Sequence, residues 1–297
     1  MKTTKTNNLF LMGVFTLATV LSCSTDENET EAPMEAVIFE KIDESISETQ
    51  KECGYVDGNW SSTAYLTTNW GSTTKTNFMN SQNSKIAAVW GRPAVTLRLV
   101  KDNSNPGSTY NALSYGSGKI YYGDAIYKDA LSKGGNIVNA MILAHEFGHQ
   151  LQFTYNYPSV NENTARAGEL EADGMAGYYL RRPTGYNKTS FSQIASAYDF
   201  AASIGDNCTT CPSHHGKDYQ RRSAVRLGFL LGAYSLNASS FDYNFFYYYS
   251  GVLNGQYRQV NSEYFDAKLD AYIRSHIDEL ARIQSGEMTD EEYFELE

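Results

Sequence analysis

Histidine and cysteine are scarce in this chain of 297 residues, at 5 and 4, and there are only 6 prolines. Positive charge is also in short supply. Against 34 Asp and Glu stand 24 Lys and Arg, for a net charge of −10. That balance excludes a nucleic-acid binder, because nothing in it would neutralise a phosphate backbone. Apart from one uncharged run, Leu9 to Leu21, no stretch approaches the length of a membrane span. An integral membrane protein is therefore not expected. No internal repeat is visible. What remains is globular composition, 41% hydrophobic and 20% charged, with an unusual 23 tyrosines. The length suffices for a sizeable core.

The uncharged run follows Lys2 and Lys5 and is too short to span a bilayer comfortably, so it reads as the apolar part of a signal peptide. It ends at Val20-Leu21-Ser22-Cys23, which resembles a bacterial lipobox. In that reading residues 1–22 are a lipoprotein signal, Cys23 carries the lipid anchor, and the protein sits in the bacterial cell envelope, at the outer membrane or cell surface. An ordinary secretory signal cut elsewhere is the alternative. Residues 23–52 are strongly acidic and read as a tether, with a marginal helix over 34–46. Their acidic start also resembles the surface-export signals of some bacterial lipoproteins, and a solvated linker fits as well.

With Cys23 set aside, Cys53, Cys208 and Cys211 allow at most one internal bridge. A disulfide involving Cys208, Cys211 or both is expected, with Cys53 as another candidate partner. Cys53 in Glu52-Cys53-Gly54 also raises the idea of a cysteine that caps a metal in a latent form.

From residue 53 the texture becomes that of a folded domain, taken as 53–285, with an acidic tail at 286–297. The spacing predicts a helix over 74–90 and a strand over 93–101. A turn-rich segment at 103–107 and short strands at 110–115 and 119–122 follow. Helical periods then dominate: 137–153, 164–182, 190–204, 219–234 and an amphipathic stretch over 266–284. Thr289 and Glu292 form a capping box. Strands first and helices after predict an α+β fold, with a small mixed or antiparallel sheet packed on the first long helix.

That helix carries Ala144-His145-Glu146-Phe147-Gly148-His149. His145 and His149 lie four apart, so both imidazoles leave one face and can hold one divalent cation. Glu146, one residue on, reaches water activated by the metal rather than the metal itself, and can take its proton during attack on a carbonyl. The flanks Met141, Ile142, Leu143, Phe147 and Leu151 are apolar, which fits a buried helix better than a surface one. A catalytic zinc needs a third ligand. The next acidic cluster is Glu169-Leu170-Glu171-Ala172-Asp173. Glu169 and Asp173 share a face, whereas Glu171 points roughly 200° from Glu169 at about 100° per residue. Glu169 is therefore expected as ligand and Asp173 as the group orienting a histidine.

The string HEFGHQLQ, followed by ELEADGMAGYYL, resembles the gluzincin layout of bacterial neutral zinc metallopeptidases, minigluzincins and CAAX-prenyl-protease-like zinc peptidases. Weaker likenesses extend it over residues 75–235. Asn111-Ala112 with Gly118 to Tyr122 resembles that group's edge strand, which lies over the cleft and binds substrate in extended form. Ile204-Gly205-Asp206 resembles a short motif before the last helices. His215-Gly216 with Gln220-Arg221 resembles its late His…Arg motif, although His214-His215 is doubled. The resemblance implies a zinc-dependent endopeptidase acting on peptide or protein substrates. One zinc ion would be held by His145, His149 and Glu169. Glu146 would be general base, His215 would stabilise the oxyanion, and Arg221 would orient the site from behind.

A rival from another class is a surface lipoprotein that binds glycan or protein through the aromatic stretch Tyr55, Trp60, Tyr65 and Trp70, on an inactive peptidase scaffold. Core and sheet packing is the plainer use of those residues.

Overall fold

Alternation along three short strands decides which way the sheet faces. The computed structural model describes residues 40–41, 52–54, 60–160, 162–203, 210–211, 213–254 and 259–297. The strands are β1 (Glu40–Lys41), β2 (Glu52–Gly54), β3 (Tyr65–Thr67), β4 (Thr96–Lys101), β5 (Ala112–Tyr115) and β6 (Lys119–Gly123), in the order β1-β3-β4-β6-β5-β2. Only β4 and β6 run parallel; every other pair is antiparallel. Leu97, Leu99, Ala112, Ile120 and Tyr122 point into the main core. Their neighbours Val100, Leu113, Tyr115 and Tyr121 form a second, smaller cluster with Ala64, Leu66 and Trp60 on the other face. This is the period of two expected of strands buried on both sides.

The helices are α1 (Thr73–Val89), α2 (Asp124–Gly134), α3 (Asn136–Tyr155), α4 (Arg166–Arg181), α5 (Ala195–Ala202), α6 (Asp218–Leu231), α7 (Ala238–Asn254), α8 (Ala267–Arg274), α9 (Ile277–Ser285) and α10 (Asp290–Phe294). The α+β expectation is met, with a mixed sheet. Every residue of α3 from Val138 to Gln152 is buried, so this helix runs through the centre of the core rather than along its surface. It starts after Gly135 and stops at Asn156, which takes the left-handed conformation. Each large apolar side chain it buries contributes about 1.5–3 kcal/mol.

Helix α4 packs on α3, and α6 packs on α4. Gly148 of α3 sits against Ala172 of α4, and the next contact, α4 on α6, is closer still. A methyl group on Gly228 would collide with the backbone of Gly174, and one on Gly177 would collide with the Val225 carbonyl. Small residues here let the two backbones touch, which brings side chains from three successive helices within reach of one point.

Several elements differ from the sequence reading. The stretch over 266–284 is two helices, α8 and α9, broken at Ser275–His276. The Ser275 hydroxyl donates to the Tyr272 carbonyl, and His276 Nδ1 also lies 2.8 Å from it, so polar side chains take over a helical acceptor. Leu269, Ile273, Leu280 and Ile283 are buried all the same. The helix over 190–204 begins with a 3₁₀ turn at Phe191–Ile194, and the turn after residue 103 contains another at Pro106–Thr109. Helices α2 and α7 were not anticipated. Within the stretch read as a marginal helix, Glu40–Lys41 is a strand paired with β3; its other residues lie outside the described ones, as do Cys23, Cys208, Tyr55, residues 1–22 and Ile204-Gly205-Asp206.

The aromatic stretch serves packing where it is described. Trp70 is buried edge-on against Tyr122 and Tyr127, and Trp60 donates to the Tyr115 hydroxyl. The C-terminal segment after residue 285 packs through Tyr293, which is buried against Phe191 and Tyr198. Arg222 pairs with Asp290, and Arg226 donates to the main-chain oxygen of Glu297. Among the described residues no helix is long and apolar enough to cross a membrane.

Replacing Gly228 by alanine is expected to cost about 1–3 kcal/mol, as overpacking of a tight contact does. Chemical denaturation measures it; a loss under ~0.5 kcal/mol would show that the α4–α6 contact can open freely.

Candidate metal centre

Helix geometry alone puts His145 above His149, and the packing of α4 brings Glu169 to the same point. The two Nε2 atoms are 3.1 Å apart. Glu169 Oε2 lies 3.4 Å from His145 Nε2, and Glu169 Oε1 lies 3.5 Å from His149 Nε2. All three side chains are buried, and their donor atoms fall within 4.8 Å of one another. Among the described residues this is the one group of His, Cys, Asp and Glu side chains so arranged. Glu169 stands in the first turn of α4, where the helix dipole favours a negative charge.

Both imidazoles are held from behind. His145 Nδ1 lies 2.9 Å from Asp173 Oδ1, and His149 Nδ1 lies 2.7 Å from Gln152 Oε1. Each acceptor draws the ring proton to Nδ1 and turns the Nε2 lone pair toward the cluster. Asp173 is in turn bound by Arg221 of α6, whose Nε and Nη2 donate to its two oxygens at 2.7 and 2.8 Å. Asp173 and Arg221 are both fully buried. Burial pushes the Asp173 carboxyl up, but Arg221 and His145 outweigh it and hold the pKa below the usual carboxylate range.

The two histidines differ electrically. Burial opposes protonation of His145, yet Asp173 and Glu169 outweigh it and lift its pKa to about 9. At His149 burial dominates and lowers it to about 4. Glu169 is also raised by burial, but His149, His145 and His215 more than reverse this, so it stays ionised.

Glu146 is fully buried on α3, and neither carboxylate oxygen has a hydrogen-bond partner among the described residues. Burial pushes its pKa well above the usual range. A buried carboxylate without donors is costly. A divalent cation and its water beside His145, His149 and Glu169 would relieve that cost. Two imidazoles and one carboxylate are the donors of a three-ligand hydrolytic metal site, so the residues fit one divalent ion.

The sheet fixes α3 from the other side. Ser114 of β5 donates to the Glu146 carbonyl at 2.8 Å, and Gln150 donates to the Tyr115 carbonyl at 3.0 Å. Hydrogen bonds between β5 and the site helix thus run through Ser114 and Tyr115. Asn111 and Ala112 stand at the start of that strand, with the Asn111 side chain accepting from the Ala112 amide. β5 pairs with β6 on one side and with β2 on the other, so residues 52–54 cover the edge expected to receive substrate.

His214 and His215 are both buried, just ahead of α6. His214 N donates to the Cys211 carbonyl, and Cys211 is disulfide-bonded. His215 lies close enough to Glu169 to help lower its pKa. The structure therefore brings together His145, His149, Glu169, Glu146, Asp173 and Arg221, with His215 alongside. Gln152, Ser114 and Gln150 were missed. The first was findable, since it follows His149 by three residues and shares its face.

Comparison with models of protein families, with curated proteins and with solved structures finds no match.

One equivalent of divalent metal per chain is expected by elemental analysis of zinc-loaded protein. His149→Ala and Glu169→Gln should each weaken binding by more than the ~100-fold typical of losing an outer support. Unchanged affinity in both would remove the site.

Proposed function

We propose that the protein is a zinc-dependent endopeptidase. The observation that carries this reading is the buried carboxylate of Glu146, without a hydrogen-bond donor among the described residues and beside the His145, His149 and Glu169 side chains. When bound, zinc acts as a Lewis acid on the scissile carbonyl and lowers the pKa of water. Glu146 accepts the proton of the attacking water as its oxygen adds to the carbonyl carbon, and then delivers that proton to the leaving amine nitrogen. His215 donates to the oxyanion that develops on the former carbonyl. Arg221 holds Asp173, and through it His145. The resemblance of HEFGHQLQ and ELEADGMAGYYL to gluzincin peptidases supports the same reading. An extended peptide would pair with the outer side of β5 only by taking the place that residues 52–54 hold there.

The lipobox at Val20 to Cys23 supports an envelope setting with a lipid on Cys23. Cys23→Ala is expected to lose incorporation of a fatty-acid label. Equal labelling of variant and wild type would move the anchor elsewhere.

The activity is tested with Glu146→Gln. Hydrolysis of casein or a peptide library should fall by about 10²–10⁴-fold while bound zinc stays at one per chain. Retained hydrolysis in the variant would sink the assignment of the base. Zinc in both forms with hydrolysis in neither would leave a metal-binding scaffold instead.

A further inference from the structure

The supports behind the two metal histidines are chemically unlike. Behind His145 stands a carboxylate, Asp173, paired with Arg221. Behind His149 stands a neutral amide, Gln152, at 2.7 Å from Nδ1. An amide has a donating end and an accepting end, so its effect on the ring depends on which way it is turned.

Its surroundings settle the turn. Gln152 Nε2 lies 2.8 Å from the Gly168 carbonyl oxygen and 2.9 Å from Glu171 Oε2. A carbonyl oxygen only accepts, so that end of the amide must be the NH₂. The other end, facing His149, is then the carbonyl, which also only accepts. His149 must therefore carry its proton on Nδ1 and present the lone pair of Nε2 toward His145 and Glu169. Glu171 has no exposed surface, and Gln152 is 6% exposed, so water does not substitute for these contacts.

Glu171 is itself set in place. It points away from Glu169 on α4, into the space between α3 and α7. There it lies close to Asp242 of α7, whose carboxylate accepts from the Ser159 amide at 2.9 Å. The order His149, Gln152, Glu171, Asp242 thus links the site to α7, as His145, Asp173, Arg221 links it to α6.

We infer that Gln152 is a positioning residue that fixes His149 as an Nε2 ligand, and that Glu171 acts through Gln152 by locking its amide. The inference rests on the metal site of the proposed function and not on peptide hydrolysis.

The test is zinc affinity, measured by competition with a chelator, on the purified protein with the disulfide intact. A second readout is the His149 Nδ1–H signal in long-range ¹H–¹⁵N spectra of the zinc-loaded protein. Gln152→Leu should weaken zinc about 10–100-fold, the range for loss of an outer support, and abolish the protected Nδ1–H signal. Glu171→Gln keeps an oxygen to accept from Gln152 and should stay within about threefold of wild type. Glu171→Met keeps the volume but no acceptor and should lose about tenfold. If Gln152→Leu does not fold, the two Glu171 variants decide. Equal affinity for Glu171→Gln and Glu171→Met, or wild-type affinity in a folded Gln152→Leu, would overturn the inference. Absence of zinc binding by the wild type would overturn the metal site with it. Zinc binding without hydrolysis would fail the peptidase reading alone.

Discussion

One carboxylate ties three helices to each other. Asp173 belongs to α4, accepts from Arg221 of α6 and lies on His145 of α3. All three groups are fully buried, so none of their charge is shared with water. Such an arrangement holds only when complete: a buried charge stripped of one partner costs about 3–5 kcal/mol, more than a good pair contributes over an apolar replacement. The glycine contacts of α4 with α6 set the distance at which the pair can form, and the pair sets the rotation of each helix about its axis. The side chains of the candidate metal centre inherit that rotation. His145, on α3, is held by Asp173 directly, and Glu169 lies one turn before Asp173 on α4.

The site was legible in the sequence to the extent that it is helical. His145, His149, Glu169 and Asp173 follow from residue type and a spacing of four, because one helix face is a rule that needs no knowledge of neighbours. Gln152, three residues after His149, shares that face too, yet an amide has no charge to draw attention to it. Glu171 illustrates the opposite failure. Its angle on α4 correctly removes it from the ligand set, but the space it enters is defined by α7, some seventy residues further on. No local pattern contains that information.

The fold shows the same division. The strand at 96–101 and the helices α3, α4 and α6 were readable because apolar residues recur with a clear period. α7 was not: Phe241, Phe245 and Tyr249 do recur every fourth residue, but the aromatic residues between them hide the repeat. The break between α8 and α9 escaped for another reason. The apolar spacing continues through it undisturbed, and the interruption is made by Ser275 and His276 bonding to a backbone carbonyl. Hydrophobic periodicity reports which side faces the core and is silent about whether the backbone bends on the way.

The antiparallel pairing of Glu52–Gly54 with Leu113–Tyr115 carries a kinetic consequence. An extended peptide that joins β5 on that side must displace residues of the same chain, and these never diffuse away. A covalently linked competitor acts at an effective concentration on the order of millimolar. Visitors bound by backbone pairing alone would spend most encounters waiting, and side-chain contacts elsewhere would decide which of them stay.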